Sequence, residues 1–137
     1  MQAIVRKADR ADLNFILNSF LRSQRSNKRF ENIVNELYFP EQTKVLQQLL
    51  RSSKTLVLCN SEHPDHLFGY IIGTPDKVTH FIYMKFPYRK MGYGRKLIEA
   101  MHPQLYKKTI EASYSCPGWP ELSAKFRHLY NPYQGEI

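Results

Sequence analysis

Residues Tyr88 to Met101 read YRKMGYGRKLIEAM. Two glycines stand two apart, Arg89 lies three residues before the first, and an apolar helical stripe of Leu97, Ile98 and Met101 follows at once. Glycines permit positive φ and let a ligand approach the backbone. A helix start presents free N–H groups and a partial positive charge. Together these make an anion site suited to a pyrophosphate. Directly before the elbow runs VTHFIYMKF, an apolar strand that Pro87 ends. Strand, tight elbow and helix must therefore follow in series. No Gly-Lys-Ser/Thr follows, which excludes a Walker loop. The three-glycine spacing of a dinucleotide fingerprint is also missing.

The rest of the chain fits around this segment. AIVRKA, from Ala3 to Ala8, reads as a short strand. DRADLNFILNSFLRS reads as a helix, with Asp9 as N-cap and Asp12 as first-turn charge. Leu13, Ile16, Leu17, Phe20 and Leu21 give it one apolar face. Arg22, Arg25, Lys28 and Arg29 would fall on roughly one helical side, either a solvated helix end or a basic wall for an anionic partner. Pro40 suits the first turn of a second helix, with Val45, Leu46, Leu49 and Leu50 as its buried stripe. KTLVLCN and HLFGYIIGT form a hairpin across NSEHPD, and TPDK turns into the third strand, VTHFIYMKF. After the elbow helix, which Pro103 closes, KKTIEASYS reads as a further strand. Pro120 starts a last helix, with Leu122, Phe126, Leu129 and Tyr130 along one side. The order predicts an α/β domain: a mixed sheet, antiparallel and then parallel, flanked by helices.

Bulk properties narrow the partners. The chain has 137 residues and reads as one domain over residues 1–137. Its formal charge of +8 points to a partner carrying negative charge: nucleic acid, phosphate or an acidic cofactor. Cys59 and Cys116 make no metal-like spacing and read as reduced, small apolar residues, a bridge between them being the alternative. No apolar run approaches a membrane span and the first residues lack a leader pattern, so the reading is a soluble, cytoplasmic protein with no membrane partner.

FIYMKFPYRKMGYGRKLIEAM resembles the acetyl-coenzyme A signature of the GCN5-related N-acetyltransferase (GNAT) family. That family shows an apolar strand, a proline, then Arg/Gln-x-x-Gly-x-Gly/Ala opening a helix. Ile82 and Met84 take the strand positions, and Arg89, Gly92 and Gly94 the motif positions. The element order over residues 3 to 130 agrees as well. The resemblance implies the acyl-CoA N-acyltransferase-like fold and transfer of an acetyl group from acetyl-CoA to an amine. It implies a pyrophosphate held by the N–H groups from Lys90 through Met91, Gly92, Tyr93 and Gly94 to Arg95, with Arg89, Lys90, Arg95 and Lys96 supplying charge. It assigns Met84 to the thioester carbonyl. No carboxylate lies inside VTHFIYMKF, so His80 is the candidate base, on strand parity with Ile82 and Met84. The family's usual acid is a tyrosine on the last helix. Counting from Ala124 reaches His128, and counting from Ser123 reaches Tyr130; Tyr130 is the choice.

NPYQGEI is too short for the two strands that most members of the family add there. The expectation is a truncated C-terminal end, with either a homodimer partner completing the sheet or an open acceptor site. The charge disfavours a strongly cationic acceptor. The alternative is a catalytically inactive binding module on the same scaffold, contacting nucleic acid or an acidic protein.

Overall fold

A computed structural model describes residues 2–105, 107, 109–112 and, as a strand, 128–130. β1 (Ala3–Lys7) leads through a 3-10 turn into α1 (Leu13–Arg25), and α2 (Asn35–Ser52) follows. β2 (Lys54–Asn60), β3 (Leu67–Thr74) and β4 (Val78–Met84) form the meander. α3 (Tyr93–Met101), β5 (Ile110–Ala112) and β6 (His128–Tyr130) complete the described elements. The strands lie in the order β1-β2-β3-β4-β5-β6. The first four are antiparallel, while β4–β5 and β5–β6 are parallel. This is the mixed sheet that the residue pattern predicts.

The first helix shows how local chemistry sets the frame. Asp9 accepts from the Ala11 amide, and Asp12 accepts from the Asp9 amide at 2.8 Å, a reciprocal capping box. The buried Asp12 carboxylate also takes both Arg6 guanidinium nitrogens, at 2.8 and 3.0 Å. Burial alone would raise the Asp12 pKa, but these hydrogen bonds outweigh it and hold the carboxyl below its ordinary range. The same hydrogen bond, against some desolvation, raises Arg6. β1 is thereby tied to the start of α1.

Phe20 meets Phe81 at 4.9 Å between centroids, Phe15 meets Tyr70 at 5.8 Å, and the Ser19 and Tyr70 hydroxyls lie 2.8 Å apart. Tyr70, Phe81 and Tyr83 therefore face α1. Ile71 and Ile82 alternate with them and are also buried, so the other sheet face is covered too. α3 supplies that cover with Leu97, Ile98 and Met101, all fully buried.

Four expectations need correction. Pro40 lies inside α2, not in its first turn. The helix starts earlier because Tyr38 anchors it: its ring is buried, its hydroxyl donates to Leu21 O at 2.6 Å, and Arg25 lies over the ring. That anchoring offsets the hydrogen bond to Glu36 O that proline cannot make. Second, the basic run is not one helical side. α1 ends at Arg25, and Lys28 and Arg29 lie in a separate 3-10 turn capped by Asn27. Arg25 donates to Phe30 O and Ile33 O, so it closes the α1–α2 connection. Third, the strand expected over KKTIEASYS is confined, among the described residues, to Ile110–Ala112, with Lys107 in a turn. Fourth, His128–Tyr130 is a strand parallel to β5, not the end of a helix. A short apolar run cannot be told from a strand by periodicity, and pairing with β5 decides it. Pro120, Leu122, Phe126, Cys116 and the tail after Tyr130 lie outside the described residues. Cys59 is a buried free thiol. Among the described residues no helix is long and apolar enough to cross a membrane.

Candidate functional site

The elbow is built as a bare helix start. After β4, Phe86–Tyr88 makes a 3-10 turn with Pro87 in its first turn. Lys90 and Gly92 then both take left-handed conformations, at φ 64° and 80°. Gly92 is the N-cap of α3 and, among the described residues, no side chain caps that end. The first amides of a helix lack intrahelical partners, so this end offers donors outward. Lys90 has a Cβ and holds the left-handed conformation at a cost of about 1–2 kcal/mol.

Gly94 is more informative. Its backbone is ordinary helix, and an added Cβ would meet nothing within 4 Å. Nothing inside the described protein requires glycine there, although glycine costs a helix about 1 kcal/mol relative to alanine. The missing side chain leaves room for something outside. Gly92 is needed for its φ and likewise faces open space.

An aromatic cluster holds the elbow against the sheet. Tyr93 stacks on Phe68 at 5.6 Å and 9°, and Tyr88 lies 4.3 Å from Phe68. The Tyr88 hydroxyl and His66 Nε2 are 3.1 Å apart. Phe68 reaches this face through a β-bulge: Leu58 pairs with Gly69 and Cys59 with Leu67, leaving Phe68 as the extra residue. Periodicity could not place it. Of the predicted ligand residues, Tyr93 is therefore a packing residue as well as a backbone donor. Met91 is exposed. Arg95 lies 3.7 Å from Glu99, and Lys96 donates to Ala3 O at 3.2 Å. Arg89 donates from Nε to Met84 O at 2.9 Å and lies over the Tyr83 and Phe86 rings.

Beside the elbow, among the described residues, β4 pairs with β5 at Val78↔Glu111 and Thr79↔Ala112. Among the described residues, β4 continues to Met84 with no strand on that edge. The Lys85 amide donates to Phe68 O at 2.8 Å, toward β3. By alternation Tyr83 also bonds to β3, while the amides of Ile82 and Met84 aim at the open edge. Met84 O on that edge is taken by Arg89, which leaves the Met84 amide facing the gap. The Ile82 amide is a site group that the residue pattern did not single out. Gly69 makes room here: an added Cβ would stand 2.4 Å from Tyr83 O and 2.9 Å from Met84 Sδ.

His80 is buried, and burial pushes its imidazole below the ordinary histidine value. Its strand parity is interrupted. Ile72 pairs with Phe81 and Gly73 with Thr79, so His80 is the extra residue of a second bulge. Thr79 on one side reaches His102 beyond α3, whereas Phe81 on the other packs on α1. Bulges re-aim side chains near functional sites. His128 and Tyr130 stand in β6, beside β5 rather than β4.

His102 is fully buried and absent from the predicted site. Its Nδ1 accepts from the Asp76 amide at 2.9 Å, so a neutral ring carries its proton on Nε2, 2.7 Å from Thr79 Oγ1. It pins the end of α3 to β4 and the turn before it.

The chain matches no protein-family model and no curated protein. Solved structures do match. A candidate acetyl transferase from Pyrococcus furiosus is 20% identical, with a TM-score of 0.65 over 90% of this chain and 91% of that one. A predicted acetyltransferase with acetyl-CoA from Clostridium acetobutylicum is 14% identical, with a TM-score of 0.61 over 91% and 88%. A candidate acetyltransferase from Clostridium difficile 630 is 14% identical, with a TM-score of 0.59 over 92% and 88%. With strand order, elbow and open β4 edge as described, the chain has the mixed, acyl-CoA N-acyltransferase-like fold of the GNAT acetyltransferases.

Proposed function

We propose that this chain is a single-domain N-acetyltransferase that takes its acetyl group from acetyl-CoA and passes it to an amine. The observation that carries the reading is Gly94, bare without an internal reason, on an uncapped helix start beside an open strand edge. These features fit a diphosphate on the α3 amides and an extended arm along β4. The similar Clostridium acetobutylicum protein was solved with acetyl-CoA, which supports the same donor here. When bound, the donor supplies an activated thioester.

The chain's own groups would do the following. The amides from Lys90 to Arg95 receive the diphosphate, with Lys90 and Arg95 adding charge. Arg89 braces the strand end through Met84 O, so its contribution to the diphosphate is field rather than a dedicated contact. The Met84 amide would meet the thioester carbonyl and stabilise the oxyanion as the amine attacks. His80, whose imidazole burial pushes below its ordinary value, would take the amine proton. Tyr130, level with Thr79 across β5 rather than beside Met84, is left without the acid role, and His128 with it; the departing thiolate would take its proton from water. A neutral or anionic amine suits the +8 charge better than a polyamine.

Thermal melts with acetyl-CoA test the donor. Saturation near 100 Kd stabilises the folded protein by about 2.7 kcal/mol. Gly92→Glu, which places a carboxylate in the cradle, should remove that gain. Thiol release with a panel of neutral, acidic and cationic amines then tests transfer. Stabilisation without turnover for any amine would leave a binding module. No stabilisation at millimolar acetyl-CoA would end the proposal.

A further inference from the structure

At the opposite end of the sheet from the elbow lies a cleft of about 860 Å³, formed where β1 ends, α2 ends and β2 begins. The two ends are distinct: the elbow side meets β1 at Ala3 through Lys96, while this cleft begins at Lys7 and Lys54. Its volume falls in the range of ligand clefts. Lys7, Arg10, Arg51 and Lys54 line it. Among the described residues none of the four forms an ion pair. The one acidic lining residue, Asp9, is occupied capping the turn before α1 and lies 3.6 Å from Arg6.

The lining is not only charge. Leu50 and Leu13 contribute apolar surface, and Leu13 is 42% exposed although it sits on the apolar side of α1. Among the described residues no aromatic ring lines the cleft, and none of them offers a platform on which nucleobases could stack.

We propose that this cleft docks an acidic peptide segment carrying an aliphatic side chain. Carboxylates would meet Lys7, Arg10, Arg51 and Lys54, and the aliphatic group would cover Leu13 and Leu50. The surface is a docking site for an acidic partner protein, separate from the acyl-donor elbow and independent of whether the elbow works.

The probe is a fluorescein-labelled peptide of glutamates with interspersed leucines, read by anisotropy against the intact chain. A glutamate-only peptide and a labelled single-stranded oligonucleotide are the comparators. The mixed peptide should bind tightest, and its affinity should fall as salt rises. Lys7→Glu with Arg51→Glu should weaken it by about tenfold or more, and Leu13→Ser by about threefold. Melting curves with acetyl-CoA check that each variant keeps its fold and elbow. If the double reversal unfolds, Lys54→Gln and the salt series decide. Absent peptide binding, binding indifferent to these changes and to salt, or tighter binding of the oligonucleotide would each overturn the proposal.

Discussion

Replacing Gly94 with alanine and, separately, with glutamate distinguishes a glycine kept for the fold from one kept for a ligand. Gly94 is helical, and an added Cβ has no neighbour within 4 Å. The substitution therefore meets no strain and removes freedom from the unfolded chain. It should stabilise the unliganded protein by about 0.5–1 kcal/mol. For a chain of this size that is a rise in melting temperature of about 2–4 °C. The resembled motif accepts alanine at this position, so the methyl group should leave acetyl-CoA affinity nearly unchanged, whereas the longer, charged side chain of Gly94→Glu would stand where a diphosphate must approach the first turn of α3. Affinity of Gly94→Glu for acetyl-CoA should fall about tenfold or more, roughly 1.4 kcal/mol. Gly92→Ala is the counterpart: at φ 80° it should cost the unliganded protein about 1–2 kcal/mol. Melts with and without acetyl-CoA, with titration calorimetry for affinity, read both effects. A destabilised Gly94→Ala would show that glycine serves the fold, and a Gly94→Glu that binds acetyl-CoA like the parent would show that no ligand approaches there; either would refute the reasoning.

Three further outcomes follow from the same structure. Asp12→Ala removes the partner of Arg6 and the acceptor of the Asp9 amide, and urea melts should show a loss of about 2–4 kcal/mol. In the parent, the Asp12 contribution is present above the unfolded carboxyl value near pH 4 and is lost as pH falls through its lower folded value, so acid melts of Asp12→Ala should be flatter there. His80→Gln should lower kcat by about a hundredfold with unchanged acetyl-CoA affinity, and parent activity should climb with pH through the depressed His80 value and level off before neutrality. An activity edge above the ordinary histidine value would reject His80 as base. His102→Ala takes the acceptor from the Asp76 amide and empties a buried site; denaturant melts should show a loss of about 2–5 kcal/mol.

The residue pattern gave away what depends on neighbours in the chain. Asp9 and Asp12 read as a helix start because a capping box spans four residues. Lys54–Asn60 and Val78–Met84 read as strands because apolar runs were bounded by turn residues. The elbow was legible because glycine spacing, a preceding strand and a following stripe agree. What stayed hidden depends on distant partners. Two bulges, at Phe68 and His80, shift side chains that simple alternation would place on the other face. Pro40 read as a boundary because the anchoring of Tyr38 by Leu21 and Arg25 is tertiary. His102 carries no local signal, since its partners are 23 and 26 residues away.

These hidden contacts explain how a costly elbow can persist. α3 spans nine residues, too few to be stable alone, and it begins with an uncapped glycine followed by a second one. Gly94 and the left-handed Lys90 together cost about 2–3 kcal/mol. The far half of the helix supplies the offset. Leu97, Ile98 and Met101 are fully buried, each contributing about 1.5–3 kcal/mol, and His102 bolts the next residue to Thr79 and the Asp76 amide. The helix is thus held from its C-terminal end and its inner face, and in its first turn through the Tyr93 ring on Phe68, while the backbone amides there carry no packing duty. A binding end made this way can stay bare and rigid before its ligand arrives, because the side chains that fix it are not the groups that bind.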